Sequence, residues 1–156
     1  MDNVIHEKEL KEMFDQVIRE VTERAGGIHL HVSAEEPVGN ICTVYAEFER
    51  GFHTSVSMCA DESLFARLTR YMMNTDDIAP QDLEDFSKEF FNILCGHIAA
   101  KVFQATKVAS RFGIPSFYRG RFEPADQEPH FVLSYTSDWN ERVQLTHHSP
   151  FGLDTI

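Results

Sequence analysis

Apolar residues in the first part of the chain recur three and four positions apart. Leu10, Met13, Phe14, Val17, Ile18 and Val21 fall in this way with charges between them, so residues 7 to 25 predict an amphipathic helix, which Gly26-Gly27 stops. The period then changes. Ile28, Leu30 and Val32 alternate with polar positions in IHLHVS (28–33), and ICTVYAEFERGFHTSVSMC (41–59) reads as two β-rich runs joined around Glu49-Arg50-Gly51. A strand followed by a hairpin is expected there.

Helical spacing returns in ESLFARLTRYMM, where Leu64, Phe65, Leu68, Tyr71 and Met72 form the apolar side and Asp61 is placed to cap the first turn. After the polar break NTDD, Pro80 opens a second long helix over about 80 to 106. Its Leu83, Phe86, Phe90, Ile93, Leu94, His97, Ile98 and Lys101 share one broad side. Beyond Gly113-Ile114-Pro115 and Gly120, the stretch RFEPADQEP reads as a polar loop, and HFVLSYT (130–136) and RVQLTHH (142–148) as strands. The order helix, strands, helices, strands argues for an α+β fold with an antiparallel sheet and helices packed on it. Each half is a helix followed by about three strands, which hints at an internal pseudo-repeat without marked sequence identity between the halves.

Composition narrows the class. With 156 residues, 42% of them apolar, the chain suits one domain with its own core. A formal net charge of −11 would repel phosphate backbones and anionic lipid, so neither nucleic acid nor a membrane surface is expected as partner. The sequence shows no basic segment leading into an apolar run and no apolar stretch of spanning length, and a cytoplasmic location is expected. Cys42, Cys59 and Cys95 are odd in number and widely spaced, which suits reduced core thiols.

The chemistry concentrates on the second long helix. At 100° per residue, Asp85, Glu89, Asn92, Gly96 and Ala99 cluster on the side away from Leu83 and Lys101. A charged helix face is ordinarily just a solvated surface. This one carries two poor helix formers, Asn92 and Gly96, the latter costing about 1 kcal/mol relative to Ala. With small Ala99 beyond them, they leave a shallow notch beside the Asn92 carboxamide, and Phe103 offers an exposed ring at the edge of the same face. That arrangement suits a contact site for another surface.

The spacing Asp85-x3-Glu89-x2-Asn92-x3-Gly96, in DFSKEFFNILCG, resembles the helix motif of the CheC, CheX and FliY chemotaxis phosphatases. The surrounding order is similar as well: a hairpin ending in SVSMCADESLFARLTRYMM, an acidic gap, the motif helix, then AAKVF and a Gly-Ile-Pro loop. The resemblance spans roughly residues 5 to 148. One motif copy in the second half is CheX-like, where CheC-type chains typically carry two.

The resemblance implies a two-layer CheC/CheX-like fold, with about six antiparallel strands and two long helices on one face. It further implies hydrolysis of the aspartyl phosphate of a CheY-like response regulator in chemotaxis or two-component signalling. Mg²⁺ and the reacting acyl phosphate would belong to that regulator, with no cofactor in this chain. Asn92 would hold the attacking water in line, and Glu89 would pair with the regulator's Lys. Asp85, Gly96 and Phe103 would serve docking. A homodimer is also implied. Phe90 and Phe91 stand where family members often carry at least one small residue; Phe90 falls on the core face, and Phe91 could either seal the core or crowd an approaching regulator.

Other groups suggest less. His29-x-His31 and His147-His148 could place imidazoles on a sheet, yet no carboxylate or thiol stands at a supporting spacing, so a solvated sheet face is expected and no metal. His97 reads as a core histidine, and Cys95 as offset from both helix faces. The competing functional reading is a CheX-like module that binds a receiver domain or other signalling protein without accelerating hydrolysis.

Overall fold

Each amphipathic stretch becomes a helix where the periodicity places one, in a computed structural model that describes residues 6–50 and 54–150. Helix α1 (Glu7–Gly26) buries Leu10, Phe14, Val17, Ile18 and Val21, and ends at Gly27, whose left-handed backbone (φ 64°) lets its N–H return to the Glu23 carbonyl. Helix α2 (Glu62–Met73) closes at Asn74, also left-handed. Asp61 sits at the N-cap of α2 but caps nothing: its Oδ2 instead accepts the Arg142 backbone N–H at 2.8 Å, tying two strand ends together. Helix α3 (Pro80–Thr106) begins with Pro in its first turn, and the Asp82 carboxylate there accepts the Ala79 N–H at 2.8 Å.

The strands are β1 (Leu30–Val32), β2 (Ile41–Arg50), β3 (Ser55–Asp61), β4 (Arg111–Phe112), β5 (Ser116–Arg119), β6 (Gln127–Ser137) and β7 (Arg142–Pro150). They form one antiparallel sheet in the order β1-β6-β7-β3-β2-β4, with β5 also paired to β2. The expected hairpin is present as β2 and β3, with Val44 opposite Met58; the part of its turn at 51–53 lies outside the described residues, as does the tail FGLDTI. Three helices pack on the sheet. Their apolar faces and the side chains of Cys42, Val44, Ala46, Val56, Met58 and Ala60 make one buried cluster.

Several local expectations are corrected. The segment after Gly120 is not simply a polar loop: β6 already starts at Gln127, and Phe122 folds over the sheet face away from the helices, stacked on Tyr118 (4.0 Å between ring centres) and edge-on to Tyr45. Thr43 Oγ1 fastens this cover by donating to the Gly120 carbonyl and accepting from the Phe122 N–H. His147 and His148 do not lie on a solvated face. His147 is fully enclosed beside Phe14 and Phe131 on the helix side, and His148 bonds Ser57 Oγ at 2.8 Å on the other. Val32 and Tyr71, read as inward, are exposed.

The pseudo-repeat is visible in the topology. The unit α1-β1-β2-β3 and the unit α3-β5-β6-β7 place matching strands on either side of the central β3·β7 pairing. Their helices match too: Leu10, Phe14, Val17, Ile18 and Val21 are buried in α1 where Ser87, Phe91, Leu94, Cys95 and Ile98 are buried in α3.

Candidate functional site

Helix α3 turns its polar stripe outward. Asp85, Glu89, Asn92 and Gly96 are all exposed and Ala99 is half-buried, while Phe103 keeps 46% of its surface in solvent. The buried side is rotated from the expected one by roughly 60°. It is formed by Leu83, Ser87, Phe90, Phe91, Leu94, Cys95, Ile98 and Val102, so Cys95 is a core residue, its thiol pushed well up by burial. His97 is exposed, not a core histidine, and Lys101 leaves the stripe to reach Gln16 Oε1 on α1 at 3.4 Å. Phe91 is fully buried and seals the core, so it does not stand in the way of an approaching surface.

Glu89 and Asn92 are one turn apart, and neither side chain has a hydrogen-bond or ion-pair partner among the described residues. Unengaged side chains of this kind can take partners from outside the chain without first breaking internal bonds. A Cβ placed on Gly96 would meet nothing within 4 Å, so the notch beside Asn92 is open. Asp85 is partly engaged, accepting Gln81 Nε2 at 2.9 Å.

A cleft of about 440 Å³ runs beside this stripe. Asp85, Glu89 and Asn92 form one wall, and Gly113, Ile114 and Pro115 another. Its two cations are already paired, Arg111 with Glu49 at 2.9 Å and Lys88 with Glu84 at 4.0 Å. Gly96 and Phe103 share the helix face but do not line the cleft, and Phe103 lies about 16 Å along the axis from Asn92. The second wall was not legible in sequence. Its strands, β4 and β5, are two and four residues long and owe their place to pairing with β2.

The family model of the chemotaxis phosphatase CheX matches residues 42–134, which include the whole stripe. The chain belongs to the CheX family. Its fold is similar to that of CheX from Desulfovibrio desulfuricans, with a TM-score of 0.70 and 16% identity over 89% of this chain and 97% of that one. It is also similar to a chain of the CheX–CheY–BeF3–Mg²⁺ complex from Borrelia burgdorferi (TM-score 0.67, 10% identity, 90% of this chain and 96% of that one). FliY of Thermotoga maritima gives 0.65 at 15% identity, over 94% of this chain and 88% of that one. No curated protein sequence matches.

Within this CheX-family chain, α1 holds a counterpart of the stripe that sequence reading missed. Lys11-Glu12-Met13-Phe14-Asp15 stands where α3 has Lys88-Glu89-Phe90-Phe91-Asn92, and Phe14 is buried as Phe91 is. The signal was there in the shared Lys-Glu-x-Phe. Asp15, however, is engaged: it accepts the Tyr135 hydroxyl at 2.6 Å and pairs with Arg19 at 3.0 Å. Burial and the Asp15 carboxylate together push the Tyr135 phenol upward, keeping it a donor.

His29 and His31 are exposed, and among the described residues no group of three or more His, Cys, Asp or Glu is arranged to hold a metal ion. No helix among them is long and apolar enough to cross a membrane.

Proposed function

We propose that the chain accelerates hydrolysis of the aspartyl phosphate on a CheY-type response regulator, with Asn92 and Glu89 as the working residues. The observation that carries this reading is the placing of two exposed side chains one turn apart, without partners among the described residues, in a chain of the CheX family. The CheX–CheY–BeF3–Mg²⁺ complex of a structural relative supports a receiver as the partner.

A carboxamide is a poor base, and the reaction does not need one. Phosphoryl transfer is limited mainly by orientation and by the charge on the transferring group, so a group that holds water in line with the phosphorus can carry catalysis. Asn92, exposed beside the Gly96 notch, supplies a donor and an acceptor for that water. Glu89 lies one turn nearer the start of α3 and offers an unpaired carboxylate to a lysine on the receiver, which fixes the docking register. Mg²⁺ sits on the receiver in this scheme, and this chain contributes no metal ligand. Asp85 supports the rim, while Gly96 leaves the clearance that lets the receiver approach.

The test is phosphate release from a phosphorylated CheY-type receiver of the same cell, with wild type, Asn92→Ala and Glu89→Ala. Acceleration by wild type that disappears in Asn92→Ala is expected. A wild type that binds the receiver and leaves its dephosphorylation rate unchanged would falsify the catalytic reading.

A further inference from the structure

Ile114 is 90% exposed, more than any other large apolar side chain among the described residues. It is nevertheless not a loose loop tip. Arg111–Phe112 before it and Ser116–Arg119 after it both pair with β2. The Gly113 N–H donates to the Glu47 carbonyl at 2.7 Å, and Pro115 is buried directly behind. Backbone ties on both sides thus hold the isoleucine outward, at the wall facing Asp85, Glu89 and Asn92.

We propose that Ile114 is an apolar anchor for the phosphorylated receiver, docking in the same encounter that brings its phosphate to Asn92. This rests on the functional reading above and adds to it a residue outside the motif helix. Asn92 and Ile114 line the same cleft, so a surface seated over that cleft meets both walls. The neighbouring cations are neutralised by Glu49 and Glu84, which leaves Ile114 the prominent unsatisfied feature of its wall. Interfaces commonly place one well-held apolar side chain in a desolvated centre with paired charges around it. The matching surface on the receiver is an apolar patch beside its phosphorylation site. A backbone fixed before binding has little freedom left to lose when the isoleucine docks.

Such an anchor contributes equally to the bound ground state and the transition state, so its loss raises KM and leaves kcat. The experiment compares wild type, Ile114→Ala, Ile114→Asp and Asn92→Ala with the CheY-type receiver of the same cell. The receiver is charged by acetyl phosphate and Mg²⁺ for kinetics and held with beryllofluoride for binding by calorimetry. Ile114→Asp is expected to raise both KM and Kd about tenfold or more with kcat within about twofold, and Ile114→Ala to do so by about threefold. Asn92→Ala is expected to lower kcat with Kd unchanged. Because Ile114 touches little of the core, both Ile114 variants should melt with the wild type. Ile114→Asp binding the receiver as wild type does overturns the anchor while leaving the catalytic reading intact. Weakened binding by Ile114→Asp in a protein that never accelerates hydrolysis supports the anchor and overturns the catalytic reading. A wild type that binds no receiver overturns both.

Discussion

Phe91 and Asn92 are separated by one 100° step around α3, and that step crosses from core to solvent: the ring has no exposed surface, whereas the carboxamide is exposed and has no partner among the described residues. The two neighbours therefore separate stability from activity. Phe91→Ala should lower the unfolding free energy by about 3–5 kcal/mol, through lost transfer energy and the cavity left behind. Denaturant titration measures this, and a loss under about 1 kcal/mol would contradict the burial.

Asn92→Ala should do the reverse. It removes the group proposed to position water and is expected to slow receiver dephosphorylation by about 10²- to 10³-fold, the scale seen when one oriented polar group is lost. Stability should rise by a few tenths of a kcal/mol, because Ala is the better former of an exposed helix interior. Parallel melting curves and phosphate-release rates decide it; a destabilised variant would point to a structural role.

Gly96 separates clearance from helix propensity. Gly96→Ala should stabilise the protein by about 1 kcal/mol, since the added methyl meets open space. Gly96→Trp fills the notch beside Asn92, so it is expected to weaken receiver binding tenfold or more without unfolding the chain. Equal affinity of both variants for the receiver would show that this part of the face is not approached.

The histidines set the acid limit of stability. Burial chiefly, with His130 and His148 nearby, brings the His147 imidazole down to about 3, and burial brings His148 down to about 4. In the unfolded chain both titrate near 6.5. The folded state therefore binds fewer protons than the unfolded one between these values. Stability is full above about pH 6.5 and falls steadily as pH drops toward 4, by an amount on the order of several kcal/mol. Among the described residues His147 Nε2 and His148 Nδ1 have no hydrogen-bond partner, so a proton arriving at either nitrogen meets no acceptor there. Urea unfolding at pH 7.5, 6 and 5 should show the decline, and His147→Phe should make it shallower, leaving the part due to His148. Stability that is constant across this range would refute the assignment.

Sequence reading recovered the three helices almost to the residue because each carries an uninterrupted 3.6-residue pattern with clear punctuation at Gly26-Gly27, Asn74 and Pro80. It misjudged which residues of α3 are innermost. Phe86, Ile93 and His97 pulled the expected stripe to one side, while Ser87 and Cys95 are buried because α3 packs on α1 and α2 as well as on the sheet. The motif wall of the cleft was legible from the spacing of Asp85, Glu89 and Asn92. The opposite wall was not, since strands as short as β4 and β5 leave no period to read and are specified by their register on β2. The burial of His147-His148 depends likewise on what lies above and below β7, where Phe14 comes from α1 and Ser57 from β3.

The placement of β7 between β6 and β3 has a kinetic consequence. Helix α3 and the β2–β3 hairpin can each form from neighbouring residues, but Met58 meets Leu145 only by closing a loop of roughly ninety residues, a step whose entropy is spent before its contacts are gained. Folding should thus be gated by this last central pairing and run in milliseconds or slower, with the two halves of the sheet held apart until β7 docks.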